Sequence, residues 1–308
     1  MEISVIIPVR NGEKYLAKCL DSVFSQSFGK DYEVIVGVDP SEDKTLSILD
    51  EYKKKHANLI VENRRGLGVA VNRLDSLKVA KGKYVCFLDA DDYYHKDFLK
   101  VMYNEIEKGF DVVNSSFYID SNDKIKENLF IKNKEFDSVK ACNALLKDSY
   151  FRSFLWNKIF KKELFDLDKL PTNWPKGHIF EDLGIVYFVL MNSKKVKSIK
   201  TPLYYYRNTN DSLTKGENKD RFKMHLNVFA YVRHLCDQNN NPNYLRDYIK
   251  RVKRTKMSLW YDAFSTRHAT GKNAHKVLKE HKLELKLLKN KNPLHNSGFE
   301  EFIDNLEK

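Results

Sequence analysis

Three aspartates follow a short apolar run in the first third of the chain. Asp89, Asp91 and Asp92 come directly after residues 84–88, Tyr-Val-Cys-Phe-Leu. An apolar run of this length is typical of a strand that is buried on both faces of a sheet. In an open α/β sheet, ligands bind at the edge formed by the carboxyl ends of the strands, and carboxylates gathered there repel one another unless a cation neutralises them. The pattern indicates either a divalent-metal site for a phosphorylated substrate or a helix N-terminus capped by Asp91 or Asp92.

Three further acidic residues end or open predicted elements. Asp39 ends the second predicted strand, at the same sheet edge, where its carboxylate could accept a hydrogen bond from the N3–H of uracil or an equivalent base donor. The alternative for Asp39 is an Asx-turn before a helix. Glu181 and Asp182 open an apolar helix, where a carboxylate could act as a general base on an acceptor hydroxyl. Their alternative is to complement the helix dipole.

Aromatic and basic residues in the second half of the chain offer binding contacts. Trp156 could supply an apolar platform for a sugar face, with Asn157 beside it for polar contacts, although a tryptophan in such a pattern is often a core residue. Arg207 follows three tyrosines at the end of a predicted strand and could bind a diphosphate, with Ser212 adding a hydroxyl. The alternative is that Arg207 is simply solvated.

Strands alternating with helices predict a mostly parallel sheet with helices on both faces. The predicted strands are 3–9, 32–38, 59–61, 84–88, 111–119, 196–199 and 203–207, with a hairpin or loop over 120–136. The predicted helices begin near Leu16, at Ser41 as N-cap and after the loop 63–68, and continue at 95–108, 137–168, 179–191 and from about 217 onward.

Composition places the chain in a reducing compartment. None of the apolar stretches approaches the length of a bilayer span, and the first of them, residues 3–9, lacks the basic leader of a signal peptide. The four cysteines are widely scattered, and Cys19 and Cys86 lie in apolar patterns that predict buried free thiols. We therefore expect a cytoplasmic protein.

The charge of the chain is +12 and concentrates in its last third. From residue 216 onward there are 19 Lys and Arg against 11 Asp and Glu, a net charge of +8. Such a tail could contact anionic lipid or a polyanionic acceptor, or it could be a Lys-rich solvated helical surface. No nucleic-acid-binding signature accompanies the charge, so no nucleic-acid partner is predicted.

The ordered segments together resemble the family 2 glycosyltransferases, inverting enzymes of the GT-A fold, over about the first 215 residues. The subset that they resemble builds bacterial capsules, exopolysaccharides and teichoic-acid decorations. The segments that carry the resemblance are 4–11 (SVIIPVRN), 20–27 (LDSVFSQS), 39–45 (DPSEDKT), 89–92 (DADD), 156–158 (WNK), 181–182 (ED) and 204–207 (YYYR) with Ser212. The sequence departs from the family pattern in three places. Val38 and Pro40 stand where the family has a polar residue and a glycine around Asp39, and Val71 stands where the family often has an arginine. The segment 66–82 is also slightly longer than in the family.

The resemblance implies an α/β architecture with two regions. Residues 1–216 would form the GT-A catalytic domain, with a nucleotide-sugar half at about 1–110 and an acceptor half at about 111–216. Residues 217–308 would form a helical C-terminal region. This region could form a homodimer, contact the inner membrane face peripherally, or contact the acceptor.

The resemblance also implies the roles of individual residues. Asp182 would be the catalytic base, supported by Glu181, and Asp89 and Asp91 would hold Mn²⁺ or Mg²⁺. The implied donor-binding residues are Pro8, Val9, Asn11, Asp39, Asn72, Asp89, Ala90, Arg207 and Ser212. The implied acceptor-binding residues are Trp156, Asn157 and Asp92.

The implied activity is transfer of a sugar from a nucleotide-diphosphate sugar, with UDP as the expected carrier, to a hydroxyl of a cell-surface glycan or lipid-linked glycan. Two alternatives stay open. A sugar-phosphate nucleotidyltransferase would need a glycine-rich phosphate loop after the first strand, and residues 8–12 are poor in glycine. A non-catalytic polyanion-binding protein would rely on the basic C-terminal helices.

Overall fold

The computed structural model describes residues 1–128, 131–170 and 181–208, together with residues 228, 231, 232, 234 and 235. The described strands are β1 (Ile3–Val9), β2 (Tyr32–Val38), β3 (Leu59–Asn63), β4 (Tyr84–Phe87), β5 (Tyr93–Tyr94), β6 (Val112–Ser121), β7 (Lys124–Glu127), β8 (Lys134–Phe136), β9 (Lys158–Lys161) and β10 (Val196–Arg207). The described helices are α1 (Leu16–Phe24), α2 (Thr45–Lys55), α3 (Val69–Val79), α4 (Phe98–Ile106), α5 (Ser138–Leu146) and α6 (Glu181–Asn192), with a 3-10 turn at Lys162–Leu164.

The described strands form one mixed sheet in the order β3-β2-β1-β4-β9-β6-β10-β5, with β7 paired to β6 and β8 paired to β10. Strands β3, β2, β1 and β4 are parallel. Strand β9 lies antiparallel between β4 and β6, and β10 runs parallel to β6. The carboxyl ends of β1, β2 and β4 therefore meet at one edge, as the sequence predicts, and the acids of interest follow β2 and β4.

Both faces of the sheet are buried. In β1, Ile6 packs into the core that α3, α5 and α6 cover, whereas Val5 and Ile7 pack into the core with α1 and α4. This arrangement explains why β1 is apolar at nearly every position instead of alternating. The thiols of Cys19 and Cys86 are buried and free, as predicted.

Helix α3 approaches β2 unusually closely at Gly37. A Cβ atom at this position would lie 1.9 Å from Oδ1 of Asn72 and 2.9 Å from Oγ of Ser76. The Asn72 amide donates a hydrogen bond to the Gly37 carbonyl at 2.9 Å. The absence of a side chain at Gly37 thus allows α3 to pack against the strand that carries Asp39.

Replacing Gly37 by alanine is expected to lower the free energy of unfolding by about 1–3 kcal/mol, because the new methyl group overlaps the Asn72 side chain. Urea unfolding followed by circular dichroism measures the change. Gly29→Ala is the matched control, since a Cβ at Gly29 has nothing within 4 Å. Equal stability of the two variants would show that α3 can move away from β2 at little cost.

Several predicted boundaries are wrong. The predicted helix 137–168 ends at Leu146, and residues 158–161 form β9 instead, because they pair with β4 and β6. The two predicted strands 196–199 and 203–207 are one strand, β10, with register shifts near Pro202. Ser41 does not cap α2, because this helix begins at Thr45. The Ser41 hydroxyl instead accepts a hydrogen bond from the backbone N–H of Asn11.

The C-terminal region predicted at 217–308 lies almost entirely outside the described residues. Five helical positions within it are described, and the apolar side chains of Val228, Tyr231, Val232 and Leu235 are buried in the core that includes α5 and α6. Among the described residues, every helix is too short or too polar to cross a membrane.

Candidate active site

Asp39 is buried at the carboxyl end of β2, next to a glycine loop. Its side chain is 6% exposed, and Oδ1 accepts a hydrogen bond from the Gly66 amide at 3.0 Å. Gly66 has a φ of 72°, a conformation that favours glycine. The predicted base-binding carboxylate is therefore fixed against the loop that opens α3.

The loops after β1 and β2 are tied together by hydrogen bonds. Pro8 and Val9 are buried at the end of β1, and Asn11 follows with a φ of 50°. Oδ1 of Asn11 accepts a hydrogen bond from the Glu42 amide at 3.0 Å, and the Thr45 hydroxyl accepts one from the Gly12 amide at 2.7 Å. These bonds tie the loops after β1 and β2 into one fixed rim.

Arg73 of α3 joins the two groups of acids that the sequence predicts as functional. Its Nη2 lies 2.6 Å from Oδ1 of Asp89, and its Nη1 lies 3.0 Å from Oε1 of Glu181 and 2.9 Å from Oδ1 of Asp182. The Arg73 side chain is only 6% exposed. Burial alone would lower the pKa of Arg73, but the three carboxylates raise it, so the guanidinium stays charged.

The two acids that open α6 differ in accessibility. Glu181 is 4% exposed, whereas the side chain of Asp182 is 19% exposed. Burial raises the pKa of both carboxyls, and the charge of Arg73 opposes that rise. Asp182 is therefore the member of the pair that a substrate can reach.

Asp91 is partly exposed, and the charges of two arginines act on it. Burial, followed by the neighbouring charge of Asp89, raises the pKa of Asp91 to about 6, and the charges of Arg207 and Arg73 oppose this rise. The negative charges of the carboxylates after β4 thus repel one another, and the positive charges of the two arginines offset this repulsion only in part.

Asp92 braces the end of β10 and does not point to solvent. It is 1% exposed, and its two oxygens accept hydrogen bonds from the Tyr204 hydroxyl at 2.7 Å and from the Arg207 amide at 2.6 Å. Both oxygens of Asp92 are thus used internally, and its predicted acceptor contact stays a prediction. The predicted cap is wrong, because β5 follows the acids and α4 begins only at Phe98.

Trp156 and Asn157 lie inside the core, as the core alternative for Trp156 has it, and their predicted acceptor contacts stay a prediction. The Trp156 ring is 3% exposed and stacks on Tyr204 at 4.3 Å and on Phe154 at 4.6 Å between ring centroids. The fully buried Asn157 amide donates a hydrogen bond to the Ser115 carbonyl at 2.8 Å. Both side chains serve the packing of β6, β9 and β10.

Lys158, the next residue, is fully buried near the candidate base. Its ammonium donates hydrogen bonds to the carbonyl of Arg152 at 2.9 Å, to the carbonyl of Phe154 and to Oδ1 of Asn157 at 2.9 Å. Burial lowers the pKa of Lys158 to about 7, and the charge of Asp182 opposes this change. Lys158 therefore fixes the segment 152–157 from inside.

The remaining predicted donor contacts are placed as follows. Asn72 is 2% exposed, and its side-chain amide donates a hydrogen bond to the Gly37 carbonyl. Ala90, between Asp89 and Asp91 in the sequence, is partly buried. Ser212 lies outside the described residues. Donor binding by these three residues stays a prediction.

Solved structures share this mixed sheet flanked by helices. The structure of Staphylococcus aureus TarS 1–349 in complex with UDP-GlcNAc matches with a TM-score of 0.64 at 24% identity, covering 75% of this chain and 66% of that chain. The same protein in complex with UDP matches with a TM-score of 0.60. The predicted GT-A fold class is confirmed.

The sequence model of glycosyl transferase family 2 matches residues 4–170, more than half of the 308-residue chain. The chain belongs to this family, as the resemblance indicates.

Curated relatives include cell-surface glycosyltransferases. A poly(ribitol-phosphate) beta-glucosyltransferase of Bacillus spizizenii is 44% identical over 107 residues, which cover 34% of this chain and 17% of the relative. Glycosyltransferase GlyA of Streptococcus pneumoniae is 29% identical over 227 residues, covering 70% of this chain and 32% of the relative. The poly(ribitol-phosphate) beta-N-acetylglucosaminyltransferase TarP of Staphylococcus aureus is 31% identical over 215 residues, covering 68% of this chain and 63% of the relative. The matched region thus spans less than a third of the length of the first two.

Proposed function

We propose that the protein is a metal-dependent, inverting glycosyltransferase. It moves a sugar from a nucleotide-diphosphate sugar, UDP-linked, to a hydroxyl of a bacterial cell-surface glycan or lipid-linked glycan. The observation that carries this proposal is the Arg73 cluster, in which one buried guanidinium contacts both the acid after β4 and the acid pair of α6. Membership of family 2 and the named relatives support the same activity.

Asp89 and Asp91 would hold the Mn²⁺ or Mg²⁺ ion. Carboxylate oxygens are the ligands that these hard cations prefer. Burial, followed by the charge of Asp89, raises the pKa of Asp91, and a bound cation would favour the charged form of this carboxyl. Within the described part of the chain, no three His, Cys, Asp or Glu side chains are grouped to hold a metal ion. When bound, the ion supplies neutralisation of the leaving diphosphate.

Asp182 acts as the general base in this proposal. An acceptor hydroxyl is a poor nucleophile, and Asp182 removes its proton as attack on the anomeric carbon proceeds. Displacement of the nucleoside diphosphate from the opposite face inverts that carbon. Arg73 contacts both Asp182 and Asp89, so that the base is held close to the donor site.

Arg207 and the loop rim serve the donor. Arg207 stabilises the diphosphate as its negative charge grows, and Asp39 binds the base beside Gly66. Pro8, Val9 and Asn11 shape the rim around the nucleotide. A cytoplasmic location, homodimer formation and membrane contact through residues 217–308 stay predictions, since those residues are almost all outside the described part.

A panel of nucleotide sugars, scored for nucleotide release by slow hydrolysis in the presence of Mn²⁺, tests the proposal. We expect release of UDP from at least one UDP-sugar. Formation of pyrophosphate from UTP and a sugar phosphate would instead identify a nucleotidyltransferase. Absence of nucleotide and metal binding by calorimetry would favour the polyanion-binding alternative.

A further inference from the structure

The guanidinium of Arg207 lies close to two tyrosine rings. Its Cζ atom is 4.6 Å from the centroid of the Tyr15 ring and 5.3 Å from that of Tyr93. Tyr15 immediately precedes α1, Tyr93 lies in β5, and Arg207 is the last residue of β10. Three separate segments therefore meet at this one side chain, which we call the tyrosine clamp (Tyr15, Tyr93 and Arg207).

The Tyr93 side of the clamp is fixed from behind. Tyr205 stacks on Tyr93 with ring centroids 4.5 Å apart and an angle of 11° between the rings. The Tyr93 hydroxyl donates a hydrogen bond to Oδ2 of Asp120 at 2.7 Å. The backbone of Arg207 is held independently, because Oδ1 of Asp92 accepts a hydrogen bond from the backbone N–H of Arg207 at 2.6 Å. Both the backbone and the guanidinium of Arg207 thus have defined positions.

Both rings of the clamp lie within cation–π distance of the guanidinium. Within the described residues, Nη1 of Arg207 is buried and has no hydrogen-bond partner. A buried donor without a partner is costly, whereas a guanidinium edge matches two phosphate oxygens at once. Stacking on aromatic faces is compatible with this use, since the N–H groups lie in the plane of the guanidinium. Asp91, the candidate metal ligand, is close enough to feel the charge of Arg207.

We propose that Tyr15 and Tyr93 are positioning residues that hold Arg207 in the orientation in which it binds the diphosphate of the donor. This inference rests on the proposed function. The tyrosines contact no substrate; they reduce the conformational freedom that Arg207 would otherwise lose on binding. A cation above an aromatic face is stabilised by the ring, which fixes the guanidinium before the ligand arrives.

Tyr15 is the better position for a test, because it is partly exposed and the Tyr93 hydroxyl has a separate partner. Tyr15→Leu removes the aromatic face, and Tyr15→Phe is the matched control that retains it. Calorimetry with Mn²⁺ measures the affinity of the full-length protein for UDP and for inorganic pyrophosphate. Competition against UDP measures the affinity for uridine, which lacks phosphates.

We expect Tyr15→Leu to weaken UDP and pyrophosphate binding about three- to tenfold. Uridine binding should be unchanged, and Tyr15→Phe should bind all three as the wild type does. In an Arg207→Ala background, Tyr15→Leu should cause no further loss, because the ring acts through the guanidinium.

Wild-type affinity in Tyr15→Leu, an equal loss in Tyr15→Phe, or an additive loss in the double variant would overturn the clamp while leaving the proposed function intact. An equal loss of uridine binding would also overturn it, because the change would then act on the base site. If the wild type itself binds neither UDP nor pyrophosphate, the proposed function fails together with the clamp.

Discussion

Replacing Asp182 by asparagine is expected to lower the turnover of sugar transfer by about 10²–10⁴-fold, because the variant has no carboxylate to take the acceptor proton. Asparagine has nearly the same shape, and its Oδ1 can still accept the hydrogen bond that Arg73 donates at 2.9 Å. The fold should therefore persist. Steady-state kinetics with the donor identified by the panel measures the change.

Asp166→Asn is the matched control for this experiment. Asp166 is an exposed carboxylate paired with Lys169, and it touches none of the site residues. We expect its turnover to equal that of the wild type. Near-normal turnover of a folded Asp182→Asn protein would remove Asp182 from the role of base.

Replacing Arg73 by methionine is expected to lower the free energy of unfolding by about 3–5 kcal/mol, because it leaves Asp89, Glu181 and Asp182 close together and partly buried without their shared cation. Urea unfolding at neutral pH measures the change. Arg73→Lys should recover only part of the loss, since an ammonium is a point charge and cannot reproduce the forked contacts.

Lys78→Met provides the control on the same helix. Lys78 is 52% exposed and pairs with Asp75 one turn away, so its loss should change the stability by no more than about 0.5 kcal/mol. If Arg73→Met and Lys78→Met were equally stable, the Arg73 cluster would contribute little to the fold, and the acids would be held apart by other means.

The placement of the acids at one edge of the sheet could be predicted, because the hydrophobic pattern of the neighbouring residues marks where each element ends or begins. Asp39, Asp89 and Asp182 stand at the ends of elements whose periodicity is visible in the sequence, and parallel strands bring such ends to one edge. The role of Arg73 could not be predicted in this way. Its partners lie 16, 108 and 109 residues away, and no period connects such distances.

A signal for Arg73 was nevertheless present. The family arginine before Asn72 is replaced by Val71, and an arginine stands directly after Asn72 instead. Positions 71 and 73 are two residues apart on α3 and therefore face different sides of the helix. Arg73 reaches Asp89 and Asp182 from its own side of α3.

The segment around Trp156 was misjudged because tertiary pairing decided its structure. Residues 158–161 become a strand only because Ile159 pairs with Cys86 of β4 and with Val113 of β6. A four-residue strand inserted between two others leaves little periodic pattern in the sequence. The same insertion turns Trp156 inward, where Tyr204 covers it.

The central claim is a division of labour: Asp91 serves the donor, and Asp182 serves the acceptor. Titration calorimetry of UDP in the presence of Mn²⁺, applied to the wild type, Asp91→Asn and Asp182→Asn, tests it most directly. The predicted result is that Asp182→Asn binds UDP as the wild type does, whereas Asp91→Asn binds at least about tenfold more weakly, a difference of about 1.4 kcal/mol. Unchanged UDP affinity in Asp91→Asn, or a matching loss in Asp182→Asn, would contradict the claim.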